Sequence, residues 1–277
     1  MKKLTKLGLV MMMGFIMILA ACGTSETGGS EEAGGSGDSG SEEKKTLKVV
    51  TDAAYAPMEY LDGDEEVGFD IDFIKAVAEE AGYELDIVHV GWDPIFVEIE
   101  DETADIAISS ITINDDRKQT YDFSVPYYLS TNKILIPEDS DIQSGEDLKD
   151  KVVAVQNGTT GQEVAEAILG KNSSNIKKFE NNNLAIQELL AGGADAVVAD
   201  NTVIEYYASM NPDQNLKVIA DDSFDAEYYG LMFPKGSELV AEFNEAINKV
   251  LDSGKYTEIY KEWFATDPDV ENLKAQQ

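Results

Sequence analysis

From Leu47 onward, short runs of β-type residues alternate with stretches whose apolar side chains recur at helical spacing. Leu47 to Thr51 is a strand stopped by Asp52. Phe69, Ile71, Ile74, Val77, Ala78 and Ala81 then mark one face of a helix, with Gly82 as its C-cap. Leu85 to Val90 is a strand, Trp92 to about Asp101 a helix, and Asp105 to Ser109 a strand again. The order repeats with Val152 to Val155, helices over Gln162–Leu169 and Leu184–Ala191, and the strand Asp195 to Ala199. Strands and helices alternating at these lengths form βαβ units, so the fold class is α/β with mostly parallel sheets flanked by helices.

Two segments echo one another. Ala104-Asp105-Ile106-Ala107 and Ala194-Asp195-Ala196-Val197 each follow a helix and open a strand, which suggests one supersecondary unit used once in each of two lobes. The chain has 277 residues, and at ~100–200 residues per domain that length suits two domains or one large one. The stretches Pro126-Tyr127-Tyr128 and Tyr228-Tyr229 are candidates for two crossings between lobes. The first lobe is then 46–128 with 228–277, the second 129–227, and the helices over Ser237–Ser253 and Tyr256–Phe264 return to the first. Paired crossings make a hinge, and the cleft beside it is the expected place for a small ligand.

Composition removes several functions. Twenty-one basic against 54 acidic side chains give a formal charge of −33, which excludes nucleic-acid binding through a general basic field. A single cysteine, Cys22, and a single histidine, His89, cannot build a disulfide framework, a Cys/His zinc site or an iron–sulfur cluster. No metal or cofactor is expected. His89 lies mid-strand and is expected to be a packing residue.

The first 45 residues have another purpose. Lys2, Lys3 and Lys6 precede an apolar stretch from Leu7 to Ala21, too short as a helix for a ~30 Å hydrocarbon layer. Residues 1–21 therefore read as a signal peptide. Leu19-Ala20-Ala21-Cys22 resembles the lipobox of bacterial lipoproteins, with Cys22 as the lipidated thiol. Residues 22–45 are mainly Gly, Ser and Glu, a composition that makes a flexible tether.

Arg117 is the sole arginine among 21 basic residues. A guanidinium presents a planar fork that matches a carboxylate, which lysine cannot imitate. Ser109, Ser110 and Thr112 follow a strand, and in open α/β sheets ligands bind beyond the carboxyl ends of strands. Asp200 occupies the matching place in the second lobe, where it could hold an ammonium group or cap the helix after it. The loop Gln156 to Glu163 joins a strand to a helix, and Thr159 and Thr160 sit where backbone amides favour an anion. Asp52 ends the first strand, and Tyr55 and Trp92 offer flat faces to an apolar stem or a cation. An arginine in one lobe and an aspartate in the other suit a zwitterion of amino-acid size.

These motifs resemble the polar amino-acid-binding proteins that serve ATP-driven importers, the family 3 solute-binding proteins. The resemblance runs from about Leu47 to Phe264. It rests on Thr51 to Pro57, Gly68 to Asp72, Gly91 to Pro94, Ser109 to Ile113, Asp116 to Lys118, Tyr121 to Ser124, Gly158 to Thr160 and Phe233 to Ser237. It implies a two-lobe periplasmic-binding-protein-like fold of type II, joined by two hinge crossings. By that likeness Arg117, Ser110, Thr112 and the backbone near Thr160 hold the α-carboxylate, and Asp200 holds the α-ammonium. Tyr55 and Trp92 would enclose the side chain, and Asp52 would meet its distal group. Ser109-Ser110, Asp52 and Thr160 to Glu163 look most like the arginine, lysine and histidine binders. Glutamine-selective relatives carry lysine and histidine where this chain has Gln156 and Ala199. The expected function is capture of a basic L-amino acid, as a monomer lipid-anchored outside the cytoplasm, for delivery to a permease and its ATPase. Glutamine or another polar amino acid is the alternative ligand. A cyclohexadienyl-dehydratase-like enzyme is the alternative class, although no enzymatic role is expected.

Overall fold

The computed structural model describes residues 44–277. The expected signal peptide, Cys22 and nearly all of the tether lie outside the described residues. The chain opens with β1 (Thr46–Thr51), a small antiparallel sheet of β2 (Ala54–Tyr55), β3 (Glu59–Asp62) and β4 (Glu65–Val67), and helix α1 (Phe69–Ala81). Next come β5 (Glu84–His89), α2 (Trp92–Glu100), β6 (Ile106–Ala107), α3 (Arg117–Thr120) and β7 (Asp122–Phe123). The middle holds β8 (Tyr128–Pro137), β9 (Val153–Gln156), α4 (Thr160–Leu169), β10 (Ile176–Phe179) and α5 (Asn182–Leu190). It continues through β11 (Ala196–Asp200), α6 (Asn201–Met210), β12 (Leu216–Ile219) and β13 (Ala226–Tyr229). The chain ends with β14 (Met232–Phe233), α7 (Leu239–Asp252), α8 (Lys255–Phe264) and α9 (Val270–Ala275).

Two main sheets result. One runs β5-β1-β6-β14-β7, the other β10-β9-β11-β8-β12 with β13 added along β8. Each has a parallel core of three strands, β5-β1-β6 and β10-β9-β11, completed by antiparallel neighbours. The sheets are therefore mixed, because β8 and β14, which follow the crossings, enter against the parallel core.

The sequence echo has a structural counterpart. The Lys48 N–H donates to the Asp105 carboxylate at 2.8 Å, and the Val152 N–H donates to the Asp195 carboxylate at 2.7 Å. In both units this aspartate satisfies the amide at the start of the adjoining parallel strand, fixing the register β1–β6 and β9–β11. The site residues then emerge at the far ends of these strands.

Helix α1 buries Phe69, Ile71, Phe73, Ile74, Val77 and Ala78 and stops at Gly82, whose φ of 84° closes the turn onto the Ala78 and Glu79 carbonyls. Phe69 packs among Phe73, Tyr127, Tyr128, Tyr256, Tyr260 and Phe264, so α8 is held to the first sheet by aromatic contacts. The Tyr256 hydroxyl adds a bond to the Tyr127 carbonyl at 2.7 Å. The two crossings run side by side: Ser124 N–H donates to Leu231 O and Tyr127 N–H to Tyr229 O, both at 2.9 Å. Pairing of β8 with β13 extends the contact from Tyr128–Tyr229 to Thr131–Ala226.

His89 departs from expectation. It ends an edge strand, its side chain is half exposed, and Nδ1 lies 2.8 Å from a Glu66 carboxylate oxygen. At the sheet edge this side chain is open to solvent on one side and within hydrogen-bond reach of Glu66 on the other.

Candidate functional site

The parallel strands of both sheets end at one cavity with about 360 Å³ of empty space. Asp52 follows β1, and Ser109, Ser110 and Thr112 follow β6. Thr159 and Thr160 follow β9 at the start of α4, and Asp200 is the last residue of β11. All eleven sequence-derived candidates line this cavity: the seven at strand ends are joined by Tyr55, Trp92, Arg117 and Gln156. Glu59, Asn182 and Ala199 complete the lining.

Two strand ends turn through the left-handed region without glycine, Ala53 at φ 52° and Ser110 at φ 51°. A buried carboxylate fixes the second turn, since Ser110 N–H donates to Asp70 Oδ2 at 2.8 Å. Asp70 is wholly buried at the start of α1 and also accepts from the Tyr127 hydroxyl at 2.9 Å. Glu59 lies beside it, 1% exposed, accepting from Ser109 Oγ at 2.7 Å. Burial raises the pKa of both carboxyls, and mutual repulsion adds to the rise at Glu59; Asp70 reaches about 7.

Arg117 organises one group of contacts. Its Nη1 donates to the Thr112 carbonyl at 2.8 Å, and Nη2 reaches the Gly158 carbonyl in the second lobe at 3.4 Å. The guanidinium carbon lies 5.5 Å from the ring centroids of both Trp92 and Phe96, within cation–π range. Gly158 has φ +74°, and a Cβ there would stand 3.3 Å from Trp92 Nε1, so glycine permits this approach of the lobes. Burial lowers the Arg117 pKa, while Glu163, Glu227 and Asp200 oppose the change. Asp200 caps α6 by position but makes no side-chain cap bond. Its carboxylate accepts from the Tyr229 hydroxyl at 2.5 Å, which leaves it facing the cavity instead of the helix.

Glu227, on crossing strand β13, escaped the sequence reading. It accepts from Thr112 Oγ1 at 2.6 Å, Thr160 Oγ1 at 2.9 Å and Asn132 Nδ2 at 2.5 Å, joining residues of both sheets. Burial, then Asp200, raises its pKa to about 7. Its one sequence signal is its place two residues before Tyr229, on the same strand face.

A second group surrounds Asp52. Gln156 Nε2 donates to Asp52 Oδ2 at 3.2 Å, and Asn182 Nδ2 donates to Gln156 Oε1 at 2.7 Å. The Asp52 N–H donates to Ser109 Oγ at 3.1 Å. Burial raises the Asp52 pKa to about 6, partly offset by Gln156, and Glu180 and Asp93 push it further up. Asn183 Nδ2 reaches the Ala54 carbonyl at 3.3 Å, so α5 closes directly onto the first lobe.

A two-lobe α/β architecture with a polar cavity at facing strand ends is that of a solute-binding protein. The model of the bacterial extracellular solute-binding proteins, family 3, matches residues 47–266, and the chain belongs to that family. It is 38% identical over 226 residues to a probable histidine-binding protein of Neisseria gonorrhoeae, covering 80% of this chain and 84% of the relative. It is 34% identical over 248 residues to the arginine-binding extracellular protein ArtP of Bacillus subtilis (strain 168), covering 89% and 92%. Among solved structures, the arginine-, lysine-, histidine-binding protein ArtJ of Geobacillus stearothermophilus is 49% identical with a TM-score of 0.81. That match covers 83% of this chain and 100% of ArtJ. Among the described residues, no helix is long and apolar enough to cross a membrane.

Proposed function

We propose that this chain captures a basic L-amino acid outside the cytoplasm and hands it to an ATP-driven importer. The observation carrying the reading is the charge set of the cavity: Asp52, Glu59 and Asp200 against Arg117, the one cationic side chain among the described lining residues. A basic amino acid brings one carboxylate and two cations. Its α-carboxylate suits the Arg117 fork with Ser110, Thr112, Thr159 and Thr160, and its α-ammonium suits Asp200. Tyr55 and Trp92 would flank the stem, and Asp52 with Ser109 and Gln156 would meet the distal cation. A buried charge left unpaired is strongly unfavourable, and a neutral side chain would leave the Asp52 carboxylate unpaired, so this site favours cationic side chains over neutral ones. The names of the relatives above agree with this ligand class.

Lobes 46–128 with 228–277 and 129–227 would open and close about the paired crossings. Ligand contacts made with both lobes shift the population toward the closed form. The role is binding and delivery, with no chemical step. A lipid on Cys22 would hold the monomer at the membrane beside its permease.

A thermal-shift panel of the twenty amino acids tests the ligand class. Melting should rise with arginine, lysine or histidine; a rise confined to glutamine or glutamate would overturn the basic-ligand reading. Palmitate labelling lost in Cys22→Ala tests the anchor. Stable absorbance of prephenate and arogenate in the protein's presence is expected of a binding protein, and their consumption would mark an enzyme.

A further inference from the structure

The contacts around Asp52 have a direction. An ionised carboxylate only accepts, so Gln156 must turn its NH₂ toward Asp52 Oδ2, at 3.2 Å. The Gln156 carbonyl then faces Asn182, which answers with its own NH₂ at 2.7 Å. The Asn182 carbonyl oxygen is what remains. Asn182 is 2% exposed and lines the cavity, yet its Oδ1 is buried with no hydrogen-bond partner among the described residues. Buried acceptors are almost always paired, and one left over in the wall of a binding cavity points to a donor that arrives with the ligand.

We propose that Asn182 Oδ1 is an acceptor for the distal group of the bound amino acid, and that together with Asp52 it selects a guanidinium over an ammonium. The inference rests on the basic-amino-acid reading above and narrows it to arginine. Asp52 stands at the end of β1 in the first lobe and Asn182 begins α5 in the second. The carboxamides of Gln156 and of Asn182 itself stand between the two acceptor oxygens, which are therefore joined by a chain of two planar N–C–O units and two hydrogen bonds. A guanidinium carries N–H groups on three nitrogens around a plane, so it reaches two separated acceptors better than a single nitrogen can. A lysine ammonium is a compact point charge on a single carbon, which satisfies Asp52 and leaves the Asn182 carbonyl unpaired. Arginine thereby gains a contact in each lobe from its side chain alone.

Calorimetric titration of arginine and lysine into the wild type and Asn182→Leu is the test. The leucine has similar bulk and no polar atoms. Arginine affinity should fall at least tenfold and lysine affinity less than threefold, which separates a ligand contact from general loosening of the cleft. An arginine loss under threefold, or equal losses for both ligands, overturns the assignment. If Asn182→Leu does not fold, a crystal structure of the wild-type arginine complex decides instead. The Asn182 carbonyl oxygen should lie within about 3.2 Å of a guanidinium nitrogen, and a guanidinium bound out of its reach sinks the proposal. Wild type that binds no basic amino acid would defeat the underlying function, whereas wild-type arginine binding with an insensitive Asn182→Leu defeats this inference alone.

Discussion

The Thr112 hydroxyl donates to the Glu227 carboxylate at 2.6 Å, tying a strand end of the first sheet to the crossing strand. Thr160 from the second lobe donates to the same oxygen at 2.9 Å. Glu227 thus fixes both hydroxyls on the side of the cavity where Arg117 lies, leaving the backbone there to meet an anion. Glu227→Ala strands three donors at once. It should weaken arginine and lysine alike by about tenfold, or ~1.4 kcal/mol, because the lost contact does not involve the ligand side chain. Calorimetry on both ligands checks this, and a loss confined to one of them would contradict it.

Arg117→Lys keeps the charge and removes the fork. The lysine ammonium cannot serve the Thr112 and Gly158 carbonyls and an incoming carboxylate in one plane. Affinity for arginine should drop at least tenfold with the ligand-free melting temperature little changed. Binding close to wild type would remove Arg117 from its assigned role.

Binding of arginine should depend on pH through Asp52. A cation beside this carboxyl favours its ionised form, and in the free protein burial raises its pKa to about 6. Below that pH the carboxyl must lose a proton before it can pair, so arginine affinity should increase as pH rises through about 6 and then level off. Asp52→Asn should flatten the rise. Titrations on either side of that pH read the effect directly, and a wild-type profile as flat as the variant's would refute it.

Ligand-free stability should run the other way. Asp52, Asp70 and Glu227 have pKa values raised by burial, from ordinary values of 3.8 to 4.5 up to about 6 or 7. The folded protein therefore holds more protons than the unfolded chain across that window, and stability falls as pH rises through it. Asp122 and Asp221 are shifted down by hydrogen bonds, so their contribution is lost only at lower pH. Scanning calorimetry should find the highest melting temperature on the acid side of neutrality. Saturating arginine should shift that maximum upward in pH by favouring ionised Asp52.

The sequence alone determined the alternation of strands and helices, the paired A-D-x-A units and every one of the eleven candidate residues now found around the cavity. That was possible because these signals are local: periodicity sets the element, and the residue just beyond a parallel strand faces the crevice whatever the rest of the chain does. Short polar strands such as β3, β4 and β10 carry no strong alternation, and their pairing comes from partners distant in sequence. Glu59, Asn182 and Glu227 were hidden for the same reason. Nothing near Glu59 in sequence indicates that it will be buried against Asp70 beneath Ser109, or that Glu227 will gather a threonine from each lobe. Only the closed tertiary structure decided which carboxyls lose their water, which amides turn toward them and which acceptor is left open, because desolvation and hydrogen-bond direction are properties of surroundings assembled from the whole chain.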